Sequence, residues 1–115
     1  MVTREKDRIF EEVTIQNGPA PVHVRRILQS PEEMLNKGKI FNHTYIEKGA
    51  GIGWHIHKGT CECYYILKGE GLYNDNGTEM IVRAGDVTFT NDGEGHSLIN
   101  RNDETLEVIA LVLNT

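Results

Sequence analysis

From Ile40 onward the sequence breaks into short apolar runs separated by glycine, asparagine and aspartate, a punctuation that admits strands rather than helices. Ile40 to Glu47 alternates Phe41, His43 and Tyr45 on one face with Ile40, Asn42, Thr44 and Ile46 on the other. Strands are then expected at Trp54–His57, Glu62–Lys68, Gly71–Asn74, Thr78–Arg83, Val87–Thr90, His96–Asn100 and Thr105–Leu113. The Asp75-Asn76-Gly77 turn marks a hairpin, because Asn-Gly tolerates positive φ at both central positions. Twelve glycines against three prolines fit a chain of many tight turns. A short strand is expected near Glu12–Gln16, a loop at Gly18-Pro19-Ala20-Pro21 and another strand at Val22–Leu28. Ser30-Pro31-Glu32-Glu33 has the form of a helix start, with the helix ending near Asn36-Lys37-Gly38. This order implies an all-β sandwich or barrel with a short N-terminal helix, in one domain of 115 residues. Residues 1–21 are expected as an N-terminal arm and residues 40–113 as the barrel.

The formal net charge of −5, with no basic cluster to offset it, argues against a nucleic-acid partner. The longest apolar run, Val108–Leu113, is too short to cross a membrane, and the N-terminus lacks an apolar signal core, so a cytoplasmic location is expected. Cys61 and Cys63 stand at i and i+2 of one strand, a poor geometry for a disulfide, and are expected as reduced structural thiols.

The chemistry concentrates in Gly49–Gly69, which holds His55, His57 and Glu62. On a strand the two histidines share a face, roughly 7 Å apart. Lys58-Gly59-Thr60-Cys61 reads as a connection to the next strand, so a hairpin would set His57 opposite Glu62 and His55 opposite Tyr64. Two imidazoles and a carboxylate would then meet at one point, as a divalent metal requires.

Gly49, His55, His57, Glu62 and Gly69 fit, at every fixed position, the first signature of the cupin family, which this chain resembles. The second signature appears as Gly85, Gly93, His96 and Asn100, with Asn91 where a proline usually stands. The resemblance implies a jelly-roll, or double-stranded β-helix, barrel with a metal held inside by His55, His57, Glu62 and His96. Three imidazoles and a carboxylate suit a divalent transition metal such as Fe, Mn, Ni or Zn, and on an octahedral ion they leave two positions open. A closed structural zinc site more often uses cysteines.

Tyr64 and His43 are the candidate catalytic residues. Tyr64 would donate to a substrate or to a group behind it, or else pack in the barrel; His43 would line the pocket, or else lie satisfied or at the surface. Tyr73 and Phe89 are expected in the core, Trp54 facing away from the metal, His23 at the surface and Asn100 in a turn or ladder. The family spans dioxygenases, decarboxylases, isomerases and binding domains, so the fold does not choose a chemistry. The expectation is a metal-dependent enzyme on a small oxygen-rich metabolite, of dioxygenase or oxalate-decarboxylase type. The alternative is a non-catalytic module binding a small molecule or sugar, or a sugar isomerase. No general acid accompanies the ligands in the motif, which weakens the decarboxylase case. A homodimer is expected, pairing through sheet edges and Val22–Leu28.

Overall fold

The computed structural model describes residues 1–115. It contains ten strands: β1 (Phe10–Val13), β2 (Val22–Arg26), β3 (Gly38–Ile46), β4 (Gly51–Ile56), β5 (Thr60–Lys68), β6 (Glu70–Asp75), β7 (Thr78–Arg83), β8 (Val87–Thr90), β9 (Gly95–Ile99) and β10 (Leu106–Asn114). They form two antiparallel sheets, one of six strands in the order β1-β2-β3-β10-β5-β8 and one of four in the order β4-β9-β6-β7. From β3 onward every connection except β6–β7 crosses from one sheet to the other, which is the jelly-roll arrangement. The exception is the hairpin marked by Asn76-Gly77, whose φ angles of 53° and 105° are the left-handed pair such a turn needs.

Alternation along the strands builds the core. In β10, Leu106, Val108, Ala110 and Val112 are buried while the residues between them are not. Ile46, Ile66, Leu98, Leu106 and Val108 are wholly enclosed between the sheets, each burial stabilising by about 1.5–3 kcal/mol. Asn100, also fully buried, belongs to a turn: its Nδ2 donates to the carbonyls of Ile46 (2.8 Å) and Glu104 (2.9 Å), and its Oδ1 accepts from the Asn102 amide.

Several local expectations change. The N-terminal helix is only a 3-10 turn, Glu32–Met34. Its start is capped as the sequence suggests, with the Ser30 hydroxyl accepting from the Glu33 amide and the Glu33 carboxylate accepting from the Gln29 amide. Leu35 and Asn36 then turn left-handed and end it at once. The first strand falls at Phe10–Val13, earlier than Glu12–Gln16, because Gln16 and Asn17 take positive φ in a turn. Val22–Leu28 shortens to β2, which lies between β1 and β3 with Val22 and Val24 in the core, so it offers no open edge. Phe89, expected inside, is 57% exposed. No helix is long and apolar enough to cross a membrane.

Candidate metal centre

The expected β4–β5 hairpin does not form. β4 lies in the four-stranded sheet beside β9, and β5 lies in the six-stranded sheet between β10 and β8. Glu62 therefore pairs with Thr90 and Val112, not with His57, and the residue opposite His55 is His96. The turn at Gly59, φ 74°, carries the chain across the sandwich rather than back along one sheet. The ligands still converge, because the two strands face each other through the interior instead of sharing a ladder.

A bulge aims the first histidine. Ile52 pairs with Leu98 and His55 with His96, so three steps on β4 match two on β9. Ile52 is in the core; an unbroken strand would turn Trp54 inward with it and His55 outward. The extra residue reverses this: His55 lines the interior, and Trp54, 48% exposed, lies outside over Gly95.

The donor atoms of His55, His57, Glu62 and His96 all lie within 4.8 Å of one another. His96 Nε2 is 3.1 Å from His57 Nε2, 3.2 Å from His55 Nε2 and 3.0 Å from Glu62 Oε1. Glu62 Oε1 is 3.2 Å from His57 Nε2 and 3.8 Å from His55 Nε2. Neighbouring ligands of an octahedral ion with bonds of about 2.1 Å stand about 3.0 Å apart, so four of these five separations are close to octahedral edges.

The far side of each ring is also engaged. His55 Nδ1 is 2.8 Å from the Gly53 carbonyl, which can only accept, so Nδ1 carries a proton and Nε2 is the nitrogen turned towards the cluster. His57 Nδ1 is 2.8 Å from Thr60 Oγ1. His96 Nδ1 has two partners at 2.9 Å, Tyr73 Oη and Thr90 Oγ1, which are themselves 2.9 Å apart. Such outer contacts fix ring orientation and raise ligand basicity.

The charge balance suits a cation. Burial alone would raise the Glu62 carboxyl, but hydrogen bonds from His55, His57 and His96 outweigh it and hold the group well below the usual carboxylate range, hence ionised. Burial pushes His96 below its usual value despite the pull of Glu62, so that ring stays neutral. His55 is also opposed by burial, yet the bonds to Glu62 and the Gly53 carbonyl raise it overall. An ionised carboxylate with three imidazole nitrogens is the donor set a divalent transition metal takes.

The cluster lies on a cavity of about 340 Å³. His55, His57, Glu62 and Tyr64 line it with apolar Ile15, Ile40, Ile52, Ala110 and Val112, and with polar Gln16, Asn42, Lys39 and Lys58. Tyr64, 1% exposed, stacks on His96 with centroids 5.0 Å apart and planes at 13°. Its hydroxyl has no hydrogen-bond partner, and burial with the nearby Glu62 charge pushes its pKa well up. His43 is elsewhere. It does not line the cavity; its ring stacks on Tyr45 and its Nε2 is 2.9 Å from Glu107 Oε1 on the outer face of the six-stranded sheet.

Sequence reasoning did not single out Thr60, Tyr73 and Thr90 as supports of the ligands. Thr60, three residues after His57 across a glycine turn, carried a local signal; Tyr73 and Thr90 reach His96 only through pairing of distant strands. Gln16, Lys39 and Asn42 likewise join the cavity by tertiary folding alone, whereas Lys58 follows His57 directly in the chain.

A jelly roll carrying these ligands inside defines a class, and the chain belongs to it: residues 42–112 match the family model of the cupin domain. A curated relative from Thermotoga maritima, named oxalate-binding protein, is 38% identical over 98% of this chain and 93% of its own length. A solved Thermotoga maritima structure described as a predicted oxalate decarboxylase superposes with a TM-score of 0.93 at 37% identity, each chain covered in full. A polyketide cyclase from Streptomyces resistomycificus shares the fold alone, with a TM-score of 0.77 at 16% identity over 99% of this chain and 78% of that one.

Proposed function

We propose that this cupin binds a small dicarboxylate of the oxalate class through a divalent metal held by His55, His57, Glu62 and His96. One observation carries the reading: the cavity onto which His55, His57 and Glu62 open is lined by Lys39 and Lys58 and by no carboxylate other than Glu62 itself. An ion bound there would act as a Lewis acid with coordination positions free for a chelating anion. The lysines favour a second negative charge near the mouth, and Asn42 and Gln16 offer side-chain donors to the carboxylate oxygens. The relative named for oxalate binding supports the same substrate class.

The same lining argues for binding over turnover. Releasing formate from oxalate requires a proton delivered to carbon after the C–C bond breaks, and a general acid serves best with a pKa near the working pH. Glu62 is committed as an ionised ligand, and Tyr64 is held far too basic to yield its proton easily. A second reading, a decarboxylase or dioxygenase, is favoured by the unpartnered Tyr64 hydroxyl that borders the cavity.

Calorimetric titration with oxalate tests the proposal, using protein loaded in turn with Mn(II), Co(II) and Zn(II) and protein stripped by chelator. Binding should require metal and vanish in His57→Ala. Binding that survives metal removal overturns it; formate, CO₂ or oxygen uptake during incubation would move the assignment to the enzyme reading.

A further inference from the structure

The six-stranded sheet is two strands wider than the sheet it faces, and at its β1–β2 end the inner face opens into a second cavity, of about 280 Å³. This cavity continues the metal-lined one, because Ile15, Lys39, Ile40 and Asn42 line both. Cross-strand pairing carries a common floor from one to the other. One row leads from the ligand Glu62 through Val112 to Ile40, and the next from Tyr64 through Ala110 and Asn42 to Arg26. Opposed residues share a face, so both rows lie on the inner side of the sheet. At about 4.8 Å per strand, Ile40 stands about 10 Å from Glu62, and Arg26 about 14 Å from Tyr64.

The far end differs from the metal end in its chemistry. Val13, Ile15, Val24, Leu28, Pro31 and Ile40 supply apolar walls. Its guanidinium is already engaged: Arg26 Nη2 and Nε donate to Glu11 Oε1 at 3.0 and 3.4 Å, and Nη1 donates to the Gln29 carbonyl at 2.9 Å. With Glu11 neutralising it, Arg26 has little to offer an anion. Val13 and Ile40 remain 36% and 38% exposed, so apolar surface faces water inside a fold that encloses its other valines and isoleucines of the same face. Oxalate has no carbon beyond its two carboxyl groups and would fill the metal end alone. We infer that the site takes a dicarboxylate head bearing an aliphatic tail, the head at the metal and the tail running past Ile40 into the groove of Val13 and Leu28. This rests on the metal-chelated dicarboxylate proposed above and extends it to a longer class of ligand. Lys39, which lines both cavities, stands at the junction, where the charged head ends and the tail begins. Each methylene buried against these walls tightens binding about fourfold.

Calorimetric titration of the Zn(II)-loaded, unmodified protein tests this with oxalate, malonate, ethylmalonate, butylmalonate and hexylmalonate. Affinity should climb about fourfold per methylene from ethyl to butyl and go on rising to hexyl, because the groove begins only beyond Ile40. Val13→Asn/Leu28→Asn makes the groove polar without adding charge, and neither residue lines the metal cavity. In that variant hexylmalonate should lose at least about tenfold, while oxalate and malonate, bound at a distance, keep their affinities within about twofold. Equal affinity for malonate and hexylmalonate, with oxalate still bound, overturns the tail site and leaves the dicarboxylate reading standing. A chain-length gain undiminished in the double variant overturns it too, since the tail would then lie elsewhere. Failure of oxalate and malonate alike to bind the loaded protein overturns the dicarboxylate reading itself, and the tail site with it.

Discussion

Tyr73 contributes nothing to the metal directly, yet its hydroxyl is one of two oxygens holding His96 Nδ1, each at 2.9 Å, inside a core where Tyr73 is 2% and His96 0% exposed. Tyr73→Phe keeps the ring and removes only that oxygen. Loss of an outer partner of a ligating histidine weakens metal binding by about 10–100-fold. Because Thr90 Oγ1 remains in place, the low end applies, about tenfold or about 1.4 kcal/mol. Removing both oxygens in Tyr73→Phe/Thr90→Val leaves the ring N–H unpaired at a fully buried position. That costs a further 1–3 kcal/mol, about a hundredfold or more in total. The assay is competition for Co(II) or Zn(II) against a chelator of known affinity, at fixed pH and ionic strength. The reasoning is refuted if Tyr73→Phe binds metal as tightly as the unmodified protein and the double variant is no weaker than Thr90→Val alone.

The stability of the metal-free protein should fall with acid, and the sign follows from the site. Glu62 lies below its unfolded value near 4.5, so its contribution is complete above that pH and is lost as pH falls through the folded value. His96 lies below 6.5, so its contribution is likewise present above that pH and lost on acidification; His55, raised above 6.5, works in the opposite direction and loses its contribution as pH rises. Urea midpoints of chelator-treated protein should therefore drop steeply below about pH 4.5, and Glu62→Gln should flatten that limb. Asn100→Ala removes a fully buried amide with three hydrogen bonds and should cost about 2–4 kcal/mol in urea unfolding; a loss under 1 kcal/mol would sink the account of this turn. A Cβ on Gly53 would overlap the Gln16 carbonyl oxygen, so Gly53→Ala should displace the arm and speed amide exchange at Gly18 and Gly53, whose amides bond to Ile15 O.

The strands of the barrel and His55, His57 and Glu62 are legible in short-range order: alternation, an Asn-Gly turn, and two histidines and a glutamate at fixed spacing; His96 joins them only through the resemblance to the second cupin signature. What escaped was long-range. A glycine after His57 announces that the chain turns, but says nothing about whether the next strand bonds to β4 or crosses to the other sheet, and here it crosses. His43 looked available because an alternating strand has two faces, and only the position of β10 makes its face the outer one, against Glu107. An aromatic side chain alone points Phe89 inward, whereas its neighbours Thr88 and Thr90 occupy the interior and the alternation turns Phe89 out. The helix start at Ser30 is chemically sound, but a cap does not encode the two left-handed residues five and six positions later, Leu35 and Asn36.

The division of the ligands between sheets has a mechanical side. His55 and His96 hang from the smaller sheet, and Glu62 from the larger. An ion seated among them would behave as a rivet through the sandwich, shortening the set of motions by which one wall can slide or hinge against the other. Its escape would then be timed by the parting of the walls, so the off-rate should track the slow opening of the barrel seen by hydrogen exchange, not the intrinsic lability of the chosen metal.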